Sequence, residues 1–294
     1  MKQSRKIGFV IIAAIYIIAA AIGVAMFLVF KDLHIFLRIL IADVSATVFV
    51  FLTGVVLRNA SVYDPYWSVA PIVILTGLTI HYAKIDASII LILHAVWFWG
   101  VRLTYNWAYT FKNLGTQDWR YDHFKRRFPR IFQLVSFVGI NMFPTIVVYL
   151  CLLPAATLIE NSISSMPMLI LLIVQLGFMI CTWSATLQLI SDLEMHRFRR
   201  ENAGKNRIIR TGLWKYSRHP NYLFEITMWW GVYIMMLGVA PQMWFLIIGP
   251  IANTLLFLIV SIPLADRRNR DIRPGFEVYM KETRSLLPIR KRKV

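Results

Sequence analysis

Negative charge is what this sequence holds least of: 15 Asp and Glu stand against 32 Lys and Arg in 294 residues. All charged residues together make up 16% of the chain, well under the roughly 25% of an ordinary soluble domain. With 58% of residues apolar and 14% aromatic, the composition excludes a water-soluble enzyme. Cysteine is almost absent too. Cys151 and Cys181 both lie in apolar runs without a CxxC or Cys/His pattern, so neither a disulfide framework nor a zinc site is indicated, and no metal is expected. The chain has no GxGxxG, no Walker-type GxxxxGK and no HExxH, which removes the usual signatures of soluble nucleotide-binding folds and zinc peptidases. Internal repeats and low-complexity linkers are also missing, and the one biased stretch is the basic tail "IRKRKV". A single membrane domain over 1–294 is the economical reading.

What the chain does hold is a series of apolar runs. A bilayer core of roughly 30 Å needs about 20 helical residues at about 1.5 Å each. Runs of that kind predict spans at about 7–30, 35–57, 67–83, 87–110, 131–158, 167–190, 222–240 and 243–262. The expected fold is therefore all-α, a polytopic bundle of about eight transmembrane helices. The first run follows Lys2, Arg5 and Lys6 as a signal peptide would, but it exceeds the roughly 7 to 15 apolar residues of such a segment, so it reads as a retained helix. With the N-terminus inside, 28 of the 32 Lys and Arg fall on the inner side, at 2–6, 58, 112–130, 197–218 and 267–293. A count shifted by one helix sends the large basic loops outside. Both termini are expected on the cytoplasmic side, and the net charge of +17 reads as membrane topology and a face for anionic lipid, with no need for nucleic acid.

Polar side chains within a membrane are costly and gather where something uses them. Four clusters stand out. In "SVYDPYWS" (61–68), Asp64 reads either as the N-cap of the third span or as a buried acid beside Tyr63 or Tyr66 that hydrogen-bonds a substrate carbonyl and delivers a proton. In the stretch 97–127, Arg102 lies deep in the fourth span with Tyr105 and Asn106 on the same helical face, a place for an anion or for an Asp partner. "QDWRY" beyond it offers Arg120 and Tyr121 as ligand contacts or as an interfacial loop. At the end of the sixth span, Gln188, Asp192, His196 and Arg199 or Arg200 form one polar stripe. Finally, Arg207, Arg210, Lys215, Arg218 and His219 suit phosphates. Beside them Trp214, Tyr216 and Tyr222 offer ring faces to a base, Asn221 suits an amide or ribose, and Glu225 sits one turn into an aromatic helix that Pro220 starts.

"GLWKYSRHPNYLFEITMWWG", "QDWRY", "VYDPYW" and the tail "SIPLADRRNRDIRPGFEVYMKETRSLLPI" together resemble the steroid 5-alpha-reductase C-terminal family, in its uncharacterised bacterial membrane branch, from about residue 60 to 290. The resemblance implies an NADPH-dependent reductase that saturates an activated double bond in a lipophilic, steroid- or isoprenoid-like substrate. It places the cofactor-binding loops at 111–130, 191–221 and 264–290, facing the cytoplasm, with the bacterial inner membrane as the expected location. By similarity the cofactor falls to Gln188, Asp192, Arg199, Asn221 and Glu225. Arg102, Arg210, Tyr216, Arg218, His219, Tyr222 and Tyr279 complete the expected cofactor set.

The family's catalytic Glu and Tyr correspond in register to Asp64 and Trp99. An indole N–H does not titrate usefully, so the proton source is left among Tyr66, Tyr63 and Tyr105. On this reading Glu225→Ala weakens nucleotide binding with little loss of folded protein. Isoprenylcysteine and phospholipid methyltransferases also carry an Arg-His-Pro-x-Tyr segment and bind S-adenosylmethionine there, which makes a lipid methyltransferase the alternative. Their tails hold paired Glu residues that "LADRRNRDIRPGFEVY" lacks. A lipid-binding or transport protein is the third reading, and no inverted repeat supports transport.

Overall fold

The computed structural model describes residues 4–163 and 167–288. Among these, the regular elements are helical, and β pairing is confined to one bridge between Ser217 and Arg284. The long helices are α1 Arg5–Val29, α2 Ile35–Val56, α3 Tyr66–Tyr82 and α4 Ala87–Thr110, followed by the short α5 Trp119–Arg127. Then come α6 Phe132–Asn161, α7 Met168–Glu201, α8 Pro220–Val239, α9 Pro241–Ile272 and the short α10 Phe276–Glu282. Seven of them are long and apolar enough to cross a membrane; α3, with 17 residues, is the eighth long helix and falls just short. Large apolar side chains such as Val10, Ile17, Leu169 and Ile259 stand exposed on outer faces, the surface that membrane lipid covers.

The expected spans recover all eight long helices, with two ends misplaced. α7 runs on to Glu201 and α9 to Ile272, because helix formation depends on backbone hydrogen bonds and continues after hydropathy has dropped. α5 was expected as loop, and its N-cap Asp118, which accepts from the Arg120 N–H, starts it.

Two helices change pitch. α6 and α9 each contain a π turn, at Ser136–Met142 and Leu256–Ser261. Pro144 and Pro263 follow within two residues. A proline ring inside a helix clashes with the carbonyl four residues earlier and removes one donor, and widening the preceding turn relieves both.

The connections at 58–65, 111–131, 202–219 and 273–288 gather at one end of the bundle. Arg5 donates to the Ala108 carbonyl (2.7 Å), Asn59 to Leu114 (2.7 Å), and the Asp118 N–H to Ser61 Oγ (2.8 Å). Arg268 lies 4.0 Å over the Trp119 ring, and the Arg218 N–H donates to the Arg284 carbonyl (3.0 Å). This is the end that carries the basic loops. The main core lies between α3, α4, α6, α7 and α8 around Trp99, Trp229, Leu152 and Met235, and a second core lies between α1, α2 and α3 around Ile12, Val50, Tyr63 and Tyr66.

Candidate active site

Three helices build a ladder of polar contacts that climbs from the core to the basic end. α4 and α7 run in the same direction, so residues three or four apart on each meet as successive rungs. On the deepest rung the Glu225 carboxylate of α8 accepts N–H bonds from Gln188 Nε2 (2.6 Å), Trp99 Nε1 (2.8 Å) and Trp229 Nε1 (3.0 Å). On the next, Arg102 Nη1 pairs with Asp192 Oδ2 at 3.0 Å while its Nη2 lies 3.9 Å from Glu225. Asn221 lies beside Asp192. On the outermost, His196 Nε2 meets Asn106 Oδ1 at 2.6 Å, and Tyr109 packs on the His196 ring at 4.6 Å.

Glu225 is 3% exposed. A carboxylate at that depth persists because three donors and a guanidinium surround it. Trp99 stands where the resemblance had suggested a lost phenol, and it is one of these donors. Arg102 Nε and Nη2 and Gln188 Oε1 are buried polar atoms without a hydrogen-bond partner, and such atoms in a native fold mark places where a further polar group fits.

The remaining residues of the fourth cluster divide in two. Arg199 and Tyr216 are exposed, Asn221 and Tyr222 half-buried, and Arg199 is close enough to Asp192 and Tyr222 to feel their charges. Arg199, Asn221 and Tyr222 thus stand beside the Asp192 rung, with the Tyr222 ring stacked on His219 at 5.2 Å. Arg218, His219 and Tyr279, expected to face a ligand, are buried and hold the C-terminal segment instead. Arg218 Nη2 pairs with Asp266 Oδ2 (2.8 Å) and its Nη1 with the Thr283 carbonyl. His219 Nε2 meets Asp266 Oδ1 (2.9 Å), and Tyr279 donates to the Trp214 carbonyl. Arg210 is exposed and paired with Glu282 at 2.7 Å. The reason is geometric: the bridge at Ser217 brings the segment after α10 alongside 217–219 and turns their side chains inward.

The proposed acids are likewise rearranged. Asp64 does not cap α3, whose N-cap is Pro65 without a side-chain bond; its carboxylate accepts from Tyr121 of α5. Arg120 pairs with Asp118 at 2.8 Å, so "QDWRY" works as a latch between α5 and the 58–65 turn. Burial pushes the Asp64 carboxyl up from 3.8 to about 6, partly offset by the Tyr121 hydroxyl and the Arg120 charge. The folded chain therefore holds a proton there that the unfolded chain releases. The latch is expected to be firmest below about pH 4 and to weaken progressively as pH rises to about 6, with Asp64→Asn removing that dependence. Hydrogen exchange of the 118–127 amides, corrected for intrinsic rates, measures it.

Tyr105 is 60% exposed on the outer face of α4, apart from every acid named above. Tyr66 is buried, and its hydroxyl donates to Asp43 Oδ1 at 2.8 Å, not to Asp64. Asp43 was missed by the sequence reading, although a single carboxylate inside the α2 run "IFLRILIADVSATVFVFLTGVV" was the available signal. Asp43 and Tyr66 form part of the wall of a largely apolar cavity of about 370 Å³ between α1, α2 and α3, with Tyr16, His81, Ala46, Val73 and Leu78 among its other walls.

The fold and these sites define a polytopic helical membrane protein with a buried charged ladder that climbs to its basic end and a largely apolar cavity between α1, α2 and α3. Over residues 50–283 the chain matches the family described as protein of unknown function (DUF1295), and it belongs to that family. No curated protein and no solved structure matches it.

Proposed function

We propose that this protein is an NADPH-dependent membrane reductase that saturates an activated double bond of a lipophilic, steroid- or isoprenoid-like substrate. Its polar end would lie at the cytoplasmic face of a bacterial inner membrane, with both termini on that side. The observation that carries the reading is that Asp192 and Glu225, from separate parts of the sequence, meet at Arg102, which retains two buried donors without a hydrogen-bond partner, with Gln188 bonded to that Glu225 and Asn221 beside that Asp192. These are the positions that the steroid-reductase resemblance assigns to the cofactor.

The residues fit an anionic nucleotide. Arg102 and Arg199 offer guanidinium groups to phosphate oxygens, Asn221 and Gln188 offer amide atoms, and the exposed Tyr216 ring offers a face to a base, while the Tyr222 ring is stacked on His219. A cationic sulfonium gains little beside Arg102 and Arg199, which favours NADPH over S-adenosylmethionine. Bound NADPH supplies hydride. The protein supplies a dry cavity and, at its wall, the Tyr66 hydroxyl held by Asp43, which meets an acceptor oxygen on a lipophilic substrate and holds a proton for it.

Titrating NADPH, NADH and S-adenosylmethionine into detergent-purified protein by calorimetry tests this. NADPH is expected to bind, and Arg199→Ala to weaken it by on the order of tenfold, the effect of losing one charge-assisted hydrogen bond. Binding of S-adenosylmethionine with no response to NADPH overturns the reading in favour of a methyltransferase.

A further inference from the structure

Asp43 lies eight residues into α2, about 12 Å along the helix. Its partner Tyr66 leads on to more hydroxyls. Thr47, one turn further along α2, lies beside Tyr66. Thr47 Oγ1 lies 3.0 Å from Thr145 Oγ1 of α6, and Thr145 Oγ1 lies 2.8 Å from the Tyr63 hydroxyl. All five residues are buried. Each hydroxyl both donates and accepts, so the row leads from Tyr63 through Thr145 to Thr47 by hydrogen bonds, with Tyr66, bonded to Asp43, as the next hydroxyl beside Thr47.

At its other end the chain approaches water. Thr47 sits one turn below Val50 on α2, and Thr145 one turn below Asn141 on α6. Val50 and Asn141 both line a cavity of about 420 Å³ at the basic end, whose other walls include Arg58, Gln117, Lys125 and Ser136. The α6 π turn places Asn141 there, with its Nδ2 donating to the Ser136 carbonyl at 2.8 Å. A polar cavity, a row of hydroxyls and a carboxylate at the wall of a largely apolar cavity therefore follow one another in order.

We infer that Tyr63, Thr145, Thr47 and Tyr66 conduct protons from the basic-end cavity to Asp43, which delivers them to a lipophilic molecule held between α1, α2 and α3. The path stands on the hydroxyl geometry alone; its use in reduction rests on the proposed function. Saturating a double bond adds one hydride and one proton, and each turnover leaves the Asp43 and Tyr66 pair one proton short. A negative charge at that depth is costly, and one proton passed along the chain restores neutrality without opening the cavity to water.

Infrared spectroscopy of the full-length protein in nanodiscs tests the path without substrate. The protonated-carboxyl band that disappears in Asp43→Asn belongs to Asp43, and its shift after transfer to heavy water times proton exchange at that site. Thr145→Val, close to isosteric, and Tyr63→Phe are each expected to slow this exchange by on the order of tenfold or more, since either removes a hydrogen-bonded link. Thr79→Val, whose hydroxyl bonds only to the Leu75 carbonyl of its own helix, is expected to leave it unchanged. Equal exchange in all variants, or no Asp43 carboxyl band at any pH where the protein is folded, overturns the proposal. Slowed exchange together with failure to bind NADPH keeps the path and removes the reductase reading.

Discussion

Glu225→Ala is expected to lower the amount of folded protein sharply, with a loss of stability of about 3–5 kcal/mol, the range for removing one partner of a buried charge pair. The sequence alone placed Glu225 on the wall of a nucleotide pocket, where the same change would have been tolerated by the fold. The structure buries it in the core. Its two oxygens accept from Gln188, Trp99 and Trp229 and face Arg102, so truncation strands three donors and a guanidinium in the core. Glu225→Gln separates shape from charge. An amide keeps one acceptor oxygen, which serves Gln188 and Trp99, and turns its own N–H groups toward Trp229 Nε1. The expected loss is about 1–3 kcal/mol, that of an unsatisfied buried donor. Adding Trp229→Phe to Glu225→Gln removes the opposed donor and is expected to recover part of the loss, whereas Trp229→Phe in the native background costs stability. Tryptophan-independent readouts, such as thiol reactivity of the buried Cys151 and Cys181 during thermal unfolding, measure the cycle. Full tolerance of Glu225→Ala would return this residue to the surface of the pocket.

How far the sequence reached follows from how local each signal is. Helices are written in consecutive residues, so all eight long ones were legible, and so was the basic end. The stripe Gln188, Asp192, His196 was legible as a stripe, because it repeats every turn of one helix. Its partners were only partly so. Arg102 and Asn106 share a face of α4, and an Asp partner for Arg102 was foreseen, but nothing local says that Trp99 serves Glu225 across 126 residues. The loop residues show the same limit from the other side. Arg218 and His219 look like phosphate ligands when read as a run of cations, and only the pairing of residue 217 with 284 turns them inward onto Asp266. Asp64 with Tyr121, and Tyr66 with Asp43, likewise depend on which helices become neighbours.

The ladder also depends on how closely α7 and α8 approach, and here a methyl group is expected to have a large effect. A Cβ built on Gly177 would lie 2.6 Å from the Gly231 carbonyl oxygen and 2.8 Å from the Met235 nitrogen, and one on Gly231 would lie 2.7 Å from Cys181 Sγ and 2.9 Å from the Gly177 oxygen. Most of these neighbours are backbone atoms, which yield only if the helices separate. Small residues at such crossings let membrane helices pack where no hydrophobic drive between them exists. The two helices are antiparallel, and the same interface carries Cys181 Sγ to the Met228 carbonyl at 3.3 Å and Gln188 to Glu225 at 2.6 Å. A displacement of about 1 Å at Gly177 therefore reaches the deepest rung, since the hydrogen bonds there tolerate only a few tenths of an ångström. Gly177→Ala is expected to destabilise by about 1–3 kcal/mol or more, the range for overpacking a tight core, and, on the proposed function, to weaken NADPH binding from a position outside the ladder. Gly77→Ala is the control. A Cβ there meets nothing within 4 Å, and replacing a helical Gly by Ala where the backbone allows it is expected to be neutral or to stabilise by up to about 1 kcal/mol. Thermal midpoints and NADPH titrations on the two variants distinguish close helix approach from a general intolerance of Gly replacement, and equal behaviour of both would remove the claim that this crossing sets the site.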